Sequence, residues 1–532
     1  MILTSLWCLL TTTVILCPSC DGYNILITVP DIGASQNLVM YRLGQLLADH
    51  GHSVTILAPT IKQSKAPPVS SQRIQILKFP AVESQPGDLA AFRTKMDALN
   101  WDSNAPTGSP LEAPRLVRAF ASYCNTTLHS AAVMTQLESQ DFDVIIIHLF
   151  DICGFGLARV LGIESTIWMS TAFTLDFMQY FSGAPMPLSY VPSVALAATD
   201  RMTLPQRATN VVSFVGIMAV FKKLVVPTFT EIFRARYGPD FADLLRLIER
   251  TQLYFVYSDP LFDFPRPHSP NTVHIGGFVM ANPEPLEKDW EDLMSMERAE
   301  KHGVIVFSLG TVANTREMPS RLLMAFLNAF KRLPQQVIWK LDGEFPEAKS
   351  VSNVLITKWM PQKDLLAHKN MRLFITHGGY NSLTEAAYTG IPMISIPLFG
   401  DQFSNAKRIE HAGIGVTLGK LDISEQSVLD SIQTVLTNQN FTASAKRLAR
   451  MLARQPLSPK EQAVKWVEFL AEFKTLPLQP AVHELNPAQY FLLDVLAIFA
   501  GALCVLLVLC FCLCRCCCRL CCGRSAVKPK AD

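Results

Sequence analysis

From Lys358 to Ala406 the sequence KWMPQKDLLAHKNMRLFITHGGYNSLTEAAYTGIPMISIPLFGDQFSNA reads as two consecutive strand-to-helix units. Arg372–Thr376 is a short apolar run suited to a buried strand, and it stops at His377-Gly378-Gly379. From Ser382 the pattern turns helical, with Leu383, Ala386 and Ala387 on one face. Pro392–Pro397 makes the next strand, and Gly400-Asp401-Gln402 punctuates its exit. Paired glycines between a strand and a helix let backbone approach a ligand closely, and the helix N-terminus behind them favours an anion. The stretch therefore suits a phosphorylated ligand at the carboxyl end of a parallel sheet, where open α/β folds bind theirs.

Trp359-x-Pro361-Gln362, Thr376-His377-Gly378-Gly379-x-Asn381-Ser382-x-x-Glu385, Gly390-x-Pro392-Met393 and Asp401-Gln402 follow in fixed order. That string resembles the donor-binding signature of the UDP-glycosyltransferases. The likeness is to their membrane-anchored animal branch, the UDP-glucuronosyltransferases and invertebrate UDP-glucosyltransferases, and it extends over nearly the whole chain. It implies an α/β fold of two Rossmann-like domains facing across a cleft (GT-B type), plus a C-terminal transmembrane helix.

The resemblance also implies roles. Trp359 stacks on uracil, Gln362 lies near the nucleoside, and Glu385 accepts from the ribose hydroxyls. His377, Gly378, Gly379, Asn381 and Ser382 face the diphosphate, and Asp401 and Gln402 bond sugar hydroxyls. Ser308, Gly310 and Thr311, in the small-residue turn after Val304–Phe307, sit beside the phosphates. Singly, each has a plainer reading: Trp359 as a rim aromatic, His377 as a loop histidine, Asp401 as a helix cap. Together, at this spacing, they favour a site. The UDP sugar is a co-substrate; no metal ligand set and no tightly bound cofactor is read.

With 532 residues the chain exceeds one compact core, so two domains with appendages are expected. A net charge of +2 and 17% charged residues argue against nucleic acid as a partner. Ile2–Cys17 is apolar and is followed by polar Asp21-Gly22, as in a secretory signal peptide. Val495–Cys514 carries no charge over roughly 20 residues, enough to cross a bilayer. Asp494 precedes it, and Arg515, Arg519, Arg524, Lys528 and Lys530 follow, placing the basic side in the cytosol. The closing Lys528-Pro-Lys530-Ala-Asp resembles a dilysine retrieval signal. The expected address is the endoplasmic-reticulum membrane, single-pass type I, with lumenal catalytic domains and a cytosolic tail.

Of 14 cysteines, only Cys124 and Cys153 fall in the lumenal body, where they either pair or stay as buried thiols. The juxtamembrane cluster Cys516-Cys517-Cys518 and Cys521-Cys522 suits palmitoylation rather than zinc. Asn125 and Asn440 head glycosylation sequons. The expected organisation is a signal peptide at 1–21, an acceptor-binding domain at 22–285 and a donor domain at 303–475. A span at 495–514 and a basic, cysteine-rich cytosolic tail at 515–532 complete it.

Strands are expected at Asn24–Val29, Ser53–Leu57, Asp143–Ile147, Thr166–Ser170, Gln336–Lys340 and Asn353–Thr357, in βαβ alternation. Pro67–Pro110 has little strand character and suits loops capping a pocket, and Pro-rich, charged Met280–Glu300 suits an interdomain linker. Asn210–Val226 is apolar but interrupted by Lys222 and Lys223, and the resemblance makes it a lumenal helix near the acceptor pocket or the membrane surface. Amphipathic Pro459–Lys474 is, by the same resemblance, a helix crossing back to the first domain.

Inverting sugar transfer needs the acceptor hydroxyl deprotonated as it attacks. The family uses a histidine after the first strand, oriented by an acidic residue about a hundred positions on. Here the first falls on Gln36 and the second on His148. Gln36 has no proton equilibrium near neutrality, and losing a general base costs about 10²–10⁴-fold in rate. Three readings stay open. His148 is itself the base, oriented by Asp151 or another carboxylate; or the acceptors, amines or acidic phenols, need little help; or the protein binds donor without efficient turnover. The function implied is transfer of glucose or glucuronate to small lipophilic acceptors, as a monomer or a homo- or hetero-oligomer. A non-catalytic donor-binding partner of related transferases is the alternative.

Overall fold

The computed structural model describes residues 22–30, 34–60, 71–80, 101, 113–280, 283–311, 313 and 315–522. The expected signal peptide, most of 61–112 and the end of the tail with Arg524, Lys528 and Lys530 lie outside the described residues. The chain forms two compact units, one to Leu478 and one from Gln479.

The first unit holds two fully parallel sheets. One comprises β1 (Asn24–Thr28), β2 (Ser53–Thr60), β3 (Ile74–Pro80), β4 (Val144–His148), β5 (Thr166–Ser170), β6 (Leu253–Val256) and β7 (Thr272–His274), in the order 3-2-1-4-5-6-7. The other comprises β8 (Val304–Ser308), β9 (Gln336–Lys340), β10 (Val354–Thr357), β11 (Met371–Thr376), β12 (Met393–Ser395) and β13 (Gly415–Thr417), in the order 10-9-8-11-12-13. This is the doubly wound pattern twice over, with its switch points between β1 and β4 and between β8 and β11. The central strands read as continuous apolar runs because both faces are covered. Ile25, Leu26, Ile27 and Ile145–Ile147 are fully buried, each stabilising the fold by about 1.5–3 kcal/mol.

Among the helices that shape the site, α1 spans Ala34–Asp49, α2 Ala113–His129 and α3 Cys153–Val160. Cys124 of α2 and Cys153 of α3 form a disulfide, which resolves the alternative left open above. Helix α4 (Leu204–Val220) runs through a π-turn at Phe221–Val225 into α5 (Val226–Tyr237). The whole is long and apolar enough to cross a membrane. Yet buried Asn210 latches it to the first half, accepting from Ser193 N and donating to the Leu188 and Val191 carbonyls at 2.7–2.9 Å. Phe221, Val226, Phe229 and Phe233 enter the first core, while Val211, Val212 and Val215 stay exposed.

Two expectations need correcting. Ile74–Pro80 is a parallel strand within the segment read as lacking them, because Ile74, Ile76, Leu77 and Phe79 pack against the first core despite their polar neighbours. Met280–Glu300 is not a bare linker: Lys288–Met294 and Glu297–His302 are short helices, and Met294 and Ala299 are buried in a core of the second half.

Helix α6 is Tyr380–Thr389, α7 is Gln402–His411 and α8 is Pro459–Phe473. A Ser458–Glu461 capping box with Pro459 starts α8. Its Ala463, Val464, Val467, Leu470 and Ala471 enter the first core, although the helix follows the second sheet in sequence. Its end is pinned there by Lys474–Asp143 (2.6 Å) and by Leu476 N donating to Gln252 Oε1 (2.9 Å). In the second unit, α9 (Leu493–Cys522) has 30 residues, about 45 Å at 1.5 Å per residue. Leu493–Leu520 is long and apolar enough to cross a membrane.

Candidate functional site

The conspicuous polar clusters lie where the strand order reverses in each sheet. In the second half, β8 and β11 run in register with Ser308 opposite Thr376, so both turns leave from the same edge. The Ser308 hydroxyl accepts from Gly310 N at 3.3 Å and is buried; it shapes the turn rather than facing outward. Thr311 is exposed.

Gly310 and Gly378 take positive φ values of 80° and 83°. A side chain at Gly310 or Gly379 would run into the His377 ring, which therefore lies between the two glycine loops. Burial, and secondarily the Lys340 ammonium, push His377 down to about 4, against its bond to Ser308 backbone. It is a neutral imidazole. Lys340, at the end of β9, donates to the Gly310 carbonyl at 2.8 Å. Burial lowers its pKa, with Asp342 opposing. Sequence reasoning missed this cation. Its one signal was position, at the carboxyl end of a strand next to β8.

Trp359 is 65% exposed, an indole face open to solvent, and its backbone is bracketed by Thr357 Oγ1. Beside it, Gln362 Nε2 donates to Glu385 Oε2 at 2.7 Å and to Ser382 Oγ at 3.3 Å, joining three sequence-predicted residues. Burial raises the Glu385 carboxyl above its ordinary range, with Gln362 and Lys363 opposing. Asn381 is placed differently from expectation: its Nδ2 donates to Ser35 O at 2.9 Å, across to the first half. Asp401 is likewise raised by burial, against the hydrogen bond from Asn405 Nδ2 (2.8 Å). Asn405 also donates to Gly378 O at 2.9 Å, tying α7 to the glycine turn. Gln402 is buried, its Oε1 accepting from Leu398 N (2.8 Å) and Phe399 N (3.2 Å), so that oxygen holds the turn.

In the first half, Gln36 sits in the first turn of α1, next to the Ser35 that meets Asn381. It is half-buried, and its Oε1 has no hydrogen-bond partner among the described residues. His148 ends β4 and is fully buried. Phe150 N donates to its Nδ1 at 3.3 Å, so the neutral ring carries its proton on Nε2, 3.5 Å from Thr171 Oγ1. Burial pushes His148 down to about 3.

Asp151 does not orient it: no hydrogen bond joins the two side chains among the described residues. The Asp151 carboxylate instead accepts from Thr28 and from the Cys153 and Gly154 amides at the start of α3, and burial outweighs these bonds, pushing it up to about 6. It lines a small cavity with Pro30, Phe120, Tyr123, Leu157 and the disulfide. Among the described residues no cluster of three or more His, Cys, Asp or Glu could hold a metal ion.

A flat aromatic face, a half-buried carboxylate, two glycine turns with a neutral imidazole and a cation can hold a nucleoside diphosphate. The family model described as "UDP-glucoronosyl and UDP-glucosyl transferase" matches residues 25–528. UDP-glucuronosyltransferase 1A7 of Mus musculus is 31% identical over 513 residues, covering 94% of this chain and 93% of that one. UDP-glucuronosyltransferase 3A2 of Homo sapiens is 31% identical over 500 residues, covering 91% and 92%. Among solved structures, Os79 of O. sativa in complex with UDP superposes with a TM-score of 0.53 at 17% identity, covering 84% of this chain and 99% of that one. A Polygonum tinctorium UDP-glucosyltransferase gives 0.55 at 17% identity, covering 85% and 99%. Both share the two-sheet GT-B architecture. With residues 25–528 matched by that model and relatives 31% identical over more than nine-tenths of its length, the chain belongs to the UDP-glucuronosyl and UDP-glucosyl transferase family.

Proposed function

We propose that the protein transfers a hexosyl group from UDP-glucose or UDP-glucuronate to small lipophilic acceptors, with inversion, and that Asp151 takes the acceptor proton as a weak stand-in for the base missing at Gln36. The linked trio Gln362–Ser382–Glu385 beside the open face of Trp359 carries the donor half of this reading. Lys340 and His377 would hold the diphosphate as negative charge develops on it. The first half would bind the acceptor, and the span would anchor the enzyme in the endoplasmic-reticulum membrane with its catalytic part lumenal.

Asp151 is favoured over His148 as base for two reasons. The His148 Nδ1 lone pair is already engaged by Phe150 N. A conjugate acid near 3 also makes it a poor proton acceptor, whereas Asp151, near 6, is poised close to working pH.

The test is UDP release by the detergent-solubilised full chain across phenols, alcohols and amines, with each donor, at saturating donor and varied pH. A carboxylate base must be ionised, so kcat rises with pH up to about 6 and is flat above. A profile flat from mildly acidic to neutral pH would instead fit His148. UDP binding without release from any pairing would support the donor-binding alternative, which the uncharged Gln36 favours.

Trp359→Ala is expected to weaken UDP binding by roughly 5–150-fold, the 1–3 kcal/mol of base–aromatic stacking. Thermal stability should be unchanged, since the indole is mostly exposed. Calorimetric titration with UDP reads the first and a melt the second; unaltered affinity would remove Trp359 from the site.

A further inference from the structure

The two halves are joined by a buried ionic seam that shares no residue with the Gln362–Ser382–Glu385 trio or with the small cavity beside Asp151. Arg408 of α7 is 1% exposed, and its Nε donates to Asp263 Oδ1 at 2.8 Å, in the loop after β6. The same oxygen accepts from Phe264 N at 2.8 Å and lies 3.4 Å from Arg266 Nη2. Arg266 also donates to Thr174 O (3.2 Å) and Gln179 Oε1 (3.3 Å). Burial works against the Asp263 charge, but Arg266 and Arg408 outweigh it and hold the carboxyl below its usual value. The Arg408 guanidinium stacks 3.7 Å from the Phe173 ring centroid, and its Nη1 donates to Ser404 Oγ at 2.6 Å.

We propose that Arg408 is a positioning residue that couples donor binding in the second half to the acceptor-side segment 171–174. Helix α7 begins at the turn held by Gln402 and is tied to Gly378 through Asn405, so its N-terminus belongs to the donor site. Six residues on, Arg408 leaves for the other half. There Phe173 is two residues from Thr171, which lies against the His148 ring. Phe173 also packs on Tyr380, the first residue of α6, with centroids 6.1 Å apart. Donor turn, α7, Arg408 and Phe173 thus form one run of contacts, and the backbone of 171–173 links it to Thr171 and His148. A buried ion pair gains little stability over a well-packed apolar pair, but with partners on both sides of a seam it selects one register. Transfer requires such a register, because donor and acceptor bind to different halves and react only when aligned.

The inference rests on the transferase reading, so the decisive readout does not require turnover. Hydrogen exchange of the full chain is followed in segments 171–174 and 377–385, with and without saturating UDP. In the parent, UDP is expected to slow exchange in both. In Arg408→Met, slowing at 377–385 and UDP affinity are retained, slowing at 171–174 is lost, and kcat falls by roughly tenfold, the scale of mutations along such contact runs. Arg408→Lys, which keeps charge but not the planar fork, gives an intermediate loss. In Arg408→Met, Asp263 keeps Arg266 and Phe264 N as partners; the double variant Arg408→Met/Asp263→Asn removes that remaining charge pair as well and should behave as Arg408→Met does. Persistent slowing at 171–174 in Arg408→Met overturns the proposal. So does recovery of parental behaviour in the double variant, or a fall in UDP affinity that tracks lost thermal stability, as a merely structural role would give. No slowing at 377–385 in the parent marks failure of the donor-site reading instead, and the coupling falls with it.

Discussion

Exchanging Gln36 for histidine is expected to raise kcat for alcohols and phenols by about 10²–10⁴-fold, the usual worth of a general base. Gln36 occupies the first turn of α1, and the carbonyl of its neighbour Ser35 takes the Asn381 amide of α6. The side chain is therefore carried to the seam between the two halves. Its buried oxygen has no partner among the described residues, and an amide can orient a hydroxyl but not accept its proton. A new imidazole with an ordinary pKa near 6.5 would be half neutral there at that pH. Activity should then rise with pH to about 7 and level off, because only the neutral ring is a base.

The single exchange should reach the lower end of that range, since His148 offers an Nε2–H rather than a carboxylate to orient the new ring. Adding His148→Asp should give the upper end. Initial rates of UDP release from matched preparations decide the point. If neither variant exceeds the parent, no base is missing at this position, and proton transfer is managed elsewhere, as by Asp151.

Glu385→Ala should raise the KM for either donor by about 10²-fold, since hydrogen bonds to a charged group contribute about 1.5–3 kcal/mol each. The carboxylate is half-buried, and Gln362 holds one oxygen at 2.7 Å, so little reorganisation is needed to receive a ribose diol. Burial also fixes the sign of the pH dependence. The Glu385 carboxyl is raised, and only its ionised form accepts from both hydroxyls. Donor KM should therefore climb as pH falls, starting at higher pH than an exposed glutamate would allow. Glu385→Gln keeps one acceptor and removes the titration. It should raise KM by about tenfold, the worth of one such bond, and flatten the acid limb. A parental pH profile in Glu385→Gln would show that this carboxyl does not govern donor binding.

Much of the donor half was legible because its parts are local. A strand, a glycine turn and a helix start within a few residues, and each demands particular chemistry. Gly378 needs a positive φ, and Gly379 must leave room for the His377 ring. Gln362, Ser382 and Glu385 then come together because β10 and β11 end at the same edge of one sheet. Burial reassigned others. Gln402 matched the signature and Ser308 lay in the small-residue turn, but both spend their oxygens on their own turns, and Asn381 spends its amide on Ser35. Such choices depend on which backbone groups are otherwise unpaired, which no spacing reveals.

By itself, the sequence determined the periodicities that make two doubly wound sheets, the apolar C-terminal helix and the identity of the glycine turns. All are set by backbone conformation and side-chain hydrophobicity over short windows. Tertiary structure alone decided the rest. It brought Lys340 to Gly310, paired Cys124 with Cys153, separated Asp151 from His148 and set Arg408 against Asp263. Each joins residues brought together by the folded chain and stabilised by burial or desolvation. Those energies depend on what surrounds a group in space, not on its neighbours in sequence.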